Sequence, residues 1–139
     1  DLDRAVEEDG KIRMVYKDWP IIRPTSVDGA MMALAAKYQG KYDVAHDALM
    51  AIPGTDVPKE RMRSALQSVP LDMARLDADM TAQVADIQAL LRRNMAQADA
   101  LGLTGTPSFL IGPFLANTLD YHGFKQVISD ARARQAQEQ

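Results

Sequence analysis

The sequence predicts a mixed α/β fold that carries a large helical insertion. Apolar residues recur with helical spacing through most of the chain, whereas runs typical of strands occur only near its start and in its last third. The predicted order is helix, strand, four or five helices, strand, strand and helix. The 139 residues suffice for one domain with a substantial buried core.

Composition excludes several classes of protein and site. A net charge of -3 argues against a nucleic-acid partner, and no apolar run approaches the ~20 residues of a membrane span. Because the chain contains no cysteine, these residues hold no disulfide, thiolate zinc site or cysteine nucleophile. Two histidines, His46 and His122, are too few for a histidine cluster, so we expect no metal and no cofactor.

The first quarter of the chain predicts a helix, a strand and a loop. Leu2 and Val6 have helical spacing and Gly10 is a natural end for the helix. Alternating polar and apolar residues followed by β-branched and aromatic ones predict a strand over Ile12–Lys17. Two prolines then predict an extended loop over Trp19–Thr25.

The middle of the chain predicts only helices. Their predicted ranges are 26–39, 41–52, a short helix after Pro58, 71–80 and 82–101. Thr81 is the expected N-cap of the longest of them, and Gly102 is the residue expected just beyond its end.

The last third returns to strands. After a turn over 103–107, Ser108–Gly112 predicts a short buried strand and Pro113–Ala116 a second one. An amphipathic helix is expected over Tyr121–Arg134, and the tail 135–139 should fray.

The proline at the mouth of the first of these strands is the most informative feature. A cis Thr106–Pro107 bond would leave the backbone of Thr106 open for pairing with a second chain. Since cis bonds are a small minority of X–Pro links, the local sequence alone favours an ordinary trans connection. Both alternatives remain open at this point.

Four segments together resemble the DsbA-like thiol-disulfide oxidoreductases of the thioredoxin superfamily. Thr106-Pro107 followed by Phe-Leu-Ile-Gly resembles that family's cis-proline loop, and residues 13–21 resemble its second strand and the proline loop after it. Gly40-Lys41-Tyr42 and residues 45–49 resemble its helical insertion. The resemblance extends in order from Leu2 to Arg132.

The resemblance implies a thioredoxin-like core interrupted by an all-helical insertion. The core would comprise residues 1–25 and 102–139, and the insertion residues 26–101. Pro107 would be the cis proline, Thr106 the residue before it that pairs with substrate, and Gly105 the residue that gives the loop room.

The chain departs from the family pattern because it lacks the Cys-x-x-Cys, and thiol exchange requires a thiolate. We expect this pair, and the first core strand, upstream of Asp1. The family implies thiol-disulfide exchange on protein substrates, a redox partner protein and a periplasmic or cell-envelope location. These residues alone could not perform the reaction.

Two other functions fit the same sequence. One is a redox-inactive thioredoxin-like module that binds peptides at the Thr106–Pro107 loop. The other is a structural domain, which would have a trans bond there and no cleft beside it. For His46 and His122, packing or surface roles outweigh ligand or acid-base roles, because no convergent partners are visible in the sequence.

Overall fold

A computed structural model describes all 139 residues, which form two compact units. One unit combines Asp1–Tyr16 with Leu103–Gln139 and contains both helices and strands. The other, Lys17–Gly102, is entirely helical apart from its connections and lies in the chain between the two parts of the first. The predicted α/β fold with an all-helical insertion is thereby confirmed.

The mixed unit consists of two helices and a hairpin. Helix α1 (Leu2–Asp9) ends at Gly10, whose φ of 70° is the left-handed conformation predicted for a helix stop. Strands β1 (Phe109–Ile111) and β2 (Phe114–Ala116) pair antiparallel, with Leu110 opposite Leu115. The last helix of the chain, Tyr121–Gln137, follows them and extends three residues beyond its predicted end.

The hairpin packs one face against a small core and leaves the other face exposed. Phe109 contacts Phe124 edge-to-face with ring centroids 5.1 Å apart, and Phe124, Ala5 and Ile128 are buried. On the opposite face Leu110 and Leu115 are 54% and 58% exposed. The prediction of a buried strand over Ser108–Gly112 was therefore wrong for one of its two faces.

The strand predicted over Ile12–Lys17 is absent. Residues 10–21 have no regular secondary structure, and the only sheet consists of β1 and β2. Alternating polarity favours a strand, but a strand is stable only beside another whose backbone groups it can bond. No such neighbour lies beside this segment within the chain.

The helical unit contains five α-helices. They are α2 (Pro24–Ala36), which continues into a 3₁₀ turn over Lys37–Gln39, α3 (Tyr42–Met50), α4 (Lys59–Gln67), α5 (Met73–Ala82) and α6 (Val84–Ala100). The final helix of the mixed unit is accordingly α7 (Tyr121–Gln137). None of the seven α-helices combines the length and apolar character needed to cross a membrane.

Three predicted helix starts were wrong by two residues, since α5 begins at Met73 instead of 71 and α6 at Val84 instead of 82. Helix α2 begins at Pro24 instead of Ser26, because proline is well tolerated in the first turn, where its missing N–H is not needed. Thr81 does not cap the longest helix. It lies inside α5, where its hydroxyl donates to the backbone carbonyl of Asp77, and α6 starts after Gln83.

The core of the helical unit is formed by all five helices. Met32, Leu66, Leu76 and Ile87 are almost completely buried within it. The helical stripe predicted for α6 is only partly buried, since Met95 and Val84 are exposed.

Candidate functional site: the Thr106–Pro107 loop

The three residues predicted to hold substrate form the loop immediately before β1. The Thr106–Pro107 peptide bond is cis. Thr106 and Pro107 are exposed and Gly105 is half-buried. A Cβ at Gly105 would meet no atom within 4 Å, so the space beside the loop is open in this chain.

Two neighbouring residues hold the loop. The Ser108 hydroxyl donates a 2.6 Å hydrogen bond to the carbonyl oxygen of Gly105, which closes the turn around Thr106 and Pro107. Phe109, the next residue, anchors the start of β1 against Phe124. Ser108 was not singled out from the sequence, although a hydroxyl residue after a proline turn is a recognisable signal for such a bond.

The loop presents backbone groups that the chain itself does not use. No backbone hydrogen bond within the chain involves Thr106. Exposed N–H and C=O groups of this kind can bond an extended segment of another polypeptide. The loop Gly105–Pro107 contains no thiol, imidazole or carboxyl group, and its one polar side chain is that of Thr106.

A second polar cluster, absent from the predicted site, lies in the helical unit. The Tyr42 hydroxyl donates a 2.9 Å hydrogen bond to Asp18 Oδ2 and lies 3.5 Å from His46 Nδ1. The Tyr42 and His46 rings stack with centroids 5.6 Å apart. Burial raises the pKa of Asp18, and the Tyr42 hydrogen bond opposes that shift.

Asn94 fixes this cluster to α6. It is the buried polar residue of the core, and its side-chain amide donates a 3.0 Å hydrogen bond to the backbone carbonyl of Asp18. These partners are 76 residues apart in sequence, and no local pattern indicates that they meet.

In the mixed unit, a side-chain hydrogen bond joins α1 to α7 between two residues for which the sequence predicted no functional role. Tyr121 donates a hydrogen bond to Glu8, which lowers the pKa of that carboxyl, with a further contribution from Arg4. His122 contacts the Tyr121 ring edge-to-face, with centroids 5.2 Å apart. These contacts are consistent with the packing or surface role expected for His122.

Comparison with known proteins identifies the family. A thioredoxin family model matches residues 2–130. Among solved structures, a thioredoxin-like oxidoreductase from Silicibacter pomeroyi DSS-3 is 33% identical, with a TM-score of 0.85 over 95% of this chain and 75% of that one. No curated protein sequence matches the chain.

Two more distant structures share the fold. The thiol-disulfide exchange protein alpha-DsbA2 from Wolbachia pipientis is 22% identical, with a TM-score of 0.85 over 93% of this chain and 70% of that one. Proteus mirabilis ScsC, in a compact conformation, is 19% identical, with a TM-score of 0.81 over 95% of this chain and 72% of that one. The chain therefore belongs to the thioredoxin family and has the fold of its DsbA-like members.

Proposed function

We propose that this chain is the substrate-holding part of a thiol-disulfide oxidoreductase that acts on proteins in the periplasm or cell envelope. In this proposal a Cys-x-x-Cys lies upstream of Asp1, and the loop Gly105–Pro107 holds the substrate beside it. A redox partner protein returns the cysteine pair to its starting state after each exchange.

The observation that supports this function best is the free backbone of Thr106 at an exposed loop of a thioredoxin-family fold. In the exchange reaction a thiolate attacks a disulfide sulfur in line with the sulfur that leaves. Holding the substrate strand extended beside the cysteine pair would position its sulfur for that attack. Backbone hydrogen bonds to Thr106 would do this without regard to substrate side chains, as an enzyme acting on many proteins requires.

The reaction itself would be an exchange of sulfur partners. A thiolate attacks one sulfur of a disulfide, a mixed disulfide forms, and the other sulfur leaves as a thiolate. The residues of this chain supply none of the sulfurs that exchange, because the chain has no cysteine. Their part is to bind and orient the substrate strand, with Ser108 and Phe109 keeping the loop in place.

The first test is to read the coding sequence upstream of Asp1 and to assay the protein with its upstream segment. We expect a Cys-x-x-Cys there, and disulfide exchange with a cysteine-containing peptide. Other residues at that position would contradict the redox function and favour the redox-inactive peptide-binding module.

The second test separates peptide holding from sulfur chemistry. In the protein with its upstream segment, Thr106→Arg places a long charged side chain where the substrate strand would lie and should lower kcat/KM for a peptide disulfide by about tenfold, which is the worth of one or two hydrogen bonds that the strand can then no longer form. It should affect glutathione disulfide much less, because that small substrate depends less on strand pairing. Thr104→Arg, an exposed change two residues away, is the matched control. Equal losses with both substrates would contradict a holding role for the loop.

A further inference from the structure

The eight methionines of the chain differ widely in their access to solvent. Met50 is 72% exposed and Met95 is 47% exposed, whereas Met32 and Met62 are buried. The other four, which are half-buried, are Met14, Met31, Met73 and Met80. An oxidant in solution reacts with a methionine only where it can reach the sulfur, so exposure ranks these side chains by their reactivity.

Two of these methionines line the same pocket of the helical unit, at opposite extremes of exposure. The pocket has a volume of about 290 Å³ and predominantly apolar walls, which include Trp19. Met50, the last residue of α3, lies at its exposed edge. Met62 lies in its buried part, where the sulfur and terminal methyl are packed against Gly29 of α2, 3.6 Å from the place that a Cβ would occupy.

The thioether of Met50 is open to oxidation by peroxides. In that reaction a sulfur lone pair attacks one oxygen of the peroxide, and an S–O bond forms as the O–O bond breaks. The hydroxide that leaves takes the proton of the transferred hydroxyl and becomes water, so the sulfur is oxidised by two electrons and the peroxide is reduced by two. No cysteine in the chain competes for the oxidant.

The effect of the reaction depends on where the sulfur lies. Methionine sulfoxide is polar, whereas methionine is apolar. At Met50 the oxidation would place an S=O dipole at the edge of a pocket whose walls are mainly apolar, and would leave the buried core unchanged. At Met62 the same dipole would lie inside the core, where a polar group without a partner destabilises the fold.

We propose that Met50 is a reversible oxidation site, at which peroxides convert the edge of the Trp19 pocket from apolar to polar. Sulfoxide reductases reverse the change: the sulfoxide oxygen leaves as water while a dithiol is oxidised to a disulfide. The site involves no residue of the Thr106–Pro107 loop, and its test contains no exchange between protein disulfides. It therefore stands or fails independently of the proposed function.

Peptide mapping by mass spectrometry tests the order of reaction. The protein is treated with hydrogen peroxide, and the gain of one oxygen is followed over time at each methionine. We expect Met50 to react fastest. Met32 and Met62 should react at least about tenfold more slowly, because a buried sulfur is reached only when the structure opens locally. Oxidation of Met62 at the rate of Met50 would overturn the proposal.

Trp19 reports the change in the pocket, because it is the only tryptophan in the chain and lines that wall. Oxidation of Met50 should shift its emission maximum to longer wavelength, and the same peptide maps verify that Trp19 itself is unmodified. Methionine sulfoxide reductase with dithiothreitol should restore both the mass and the emission. Dithiothreitol has no disulfide to reduce in this chain. An unchanged emission after complete oxidation of Met50 would overturn the proposal.

Two variants assign the fluorescence change to one sulfur. Met50→Leu retains an apolar side chain and should show no shift on peroxide treatment. Met95→Leu removes the other exposed methionine, which does not line the pocket, and should respond as the unmodified protein does. A shift that persists in Met50→Leu would overturn the proposal. If Met50→Leu does not fold, as judged by circular dichroism, the peptide maps and the recovery of emission on the unmodified protein still decide.

Thermal melts test whether the oxidation leaves the fold intact. Protein oxidised at Met50 alone should have a Tm within about 2 °C of the untreated protein, as expected for a change at an exposed position. Prolonged treatment that also oxidises Met62 should lower the Tm much further. A large fall in Tm with Met50 alone oxidised would overturn the proposal, because the reaction would then damage the protein instead of changing one surface.

Discussion

Arg132 and Asp9 form a bidentate ion pair that joins the last helix to the end of the first. Nη1 and Nη2 of Arg132 each lie 2.5 Å from a different carboxylate oxygen of Asp9. The backbone N–H of Lys11 donates a further 3.1 Å hydrogen bond to Asp9 Oδ1. Chiefly because of the Arg132 hydrogen bonds, the pKa of Asp9 falls from 3.8 to about 2.

This pair predicts a specific dependence of stability on pH. Because the folded state binds the Asp9 proton more weakly than the unfolded state, the stabilisation is complete above pH ~4 and is lost as the pH falls towards ~2. Asp9→Asn should lower the Tm at neutral pH, and its difference from the unmodified protein should shrink across that acid range. Thermal melts at several pH values measure this. Glu7→Gln, on the exposed face of α1, is the control, and parallel curves for Asp9→Asn would contradict the prediction.

Gly112 in the hairpin turn should not tolerate a side chain. Its φ is 55°, and a Cβ there would lie 2.9 Å from the Cβ of Ala131. Gly112→Ala should therefore cost about 2–4 kcal/mol, from the backbone conformation and the clash together. Urea unfolding measures the loss.

Gly102→Ala separates the two contributions, because Gly102 also has a positive φ of 67° but open space around it. It should cost only the conformational part, about 1–2 kcal/mol. Combining Gly112→Ala with Ala131→Gly should show favourable coupling, since the second change removes the atom that clashes. Additive losses in this pair would show that no clash occurs.

Gly29 in α2 should, by contrast, be improved by a methyl group. A Cβ at this position would make ordinary contacts with the Met62 side chain at 3.6 Å. Gly29→Ala should stabilise the protein by about 0.5–1 kcal/mol, because alanine loses less backbone entropy in a helix. Gly123→Ala in α7 is the matched control, because its Cβ would lie 3.1 Å from Asp120 Oδ1. That crowded substitution should stabilise the protein less than Gly29→Ala, or not at all. Equal gains at both sites would contradict this explanation.

Gln39 joins the turn after α2 to the start of α5 through two hydrogen bonds. Its side-chain nitrogen donates to the carbonyl oxygen of Asp72 at 3.1 Å, and the Asp72 N–H donates back to its side-chain oxygen at 3.0 Å. Gln39→Ala should cost about 1–2 kcal/mol in chemical denaturation. Gln67→Ala, on exposed α4 surface, should be nearly neutral. If Gln39→Ala lowers the free energy of unfolding no more than Gln67→Ala does, these hydrogen bonds contribute nothing to stability.

The sequence identified the family and much of the local structure correctly. Glycines at positions 10 and 102 mark helix ends where the structure has left-handed residues, because only glycine adopts that conformation without strain. The prediction of the Thr106–Pro107 loop rested on a motif contiguous in sequence, and the structure has a cis bond there. Its role in holding substrate remains a proposal.

The sequence failed where a feature depends on distant partners. The strand expected over Ile12–Lys17 is absent because no neighbouring strand forms backbone hydrogen bonds with it. The strand Phe109–Ile111 was predicted to be buried, but Leu110 is exposed because nothing in the chain covers that face.

The helix periodicity, the helix stops and the loop motif could thus be predicted, since each depends on residues within a few positions of one another. The contacts of Asp18 with Tyr42 and Asn94, and the ion pair of Arg132 with Asp9, arise only when the chain folds. Burial, hydrogen-bond partners and pKa shifts depend on segments brought together by packing, and packing between distant segments leaves no local pattern to detect.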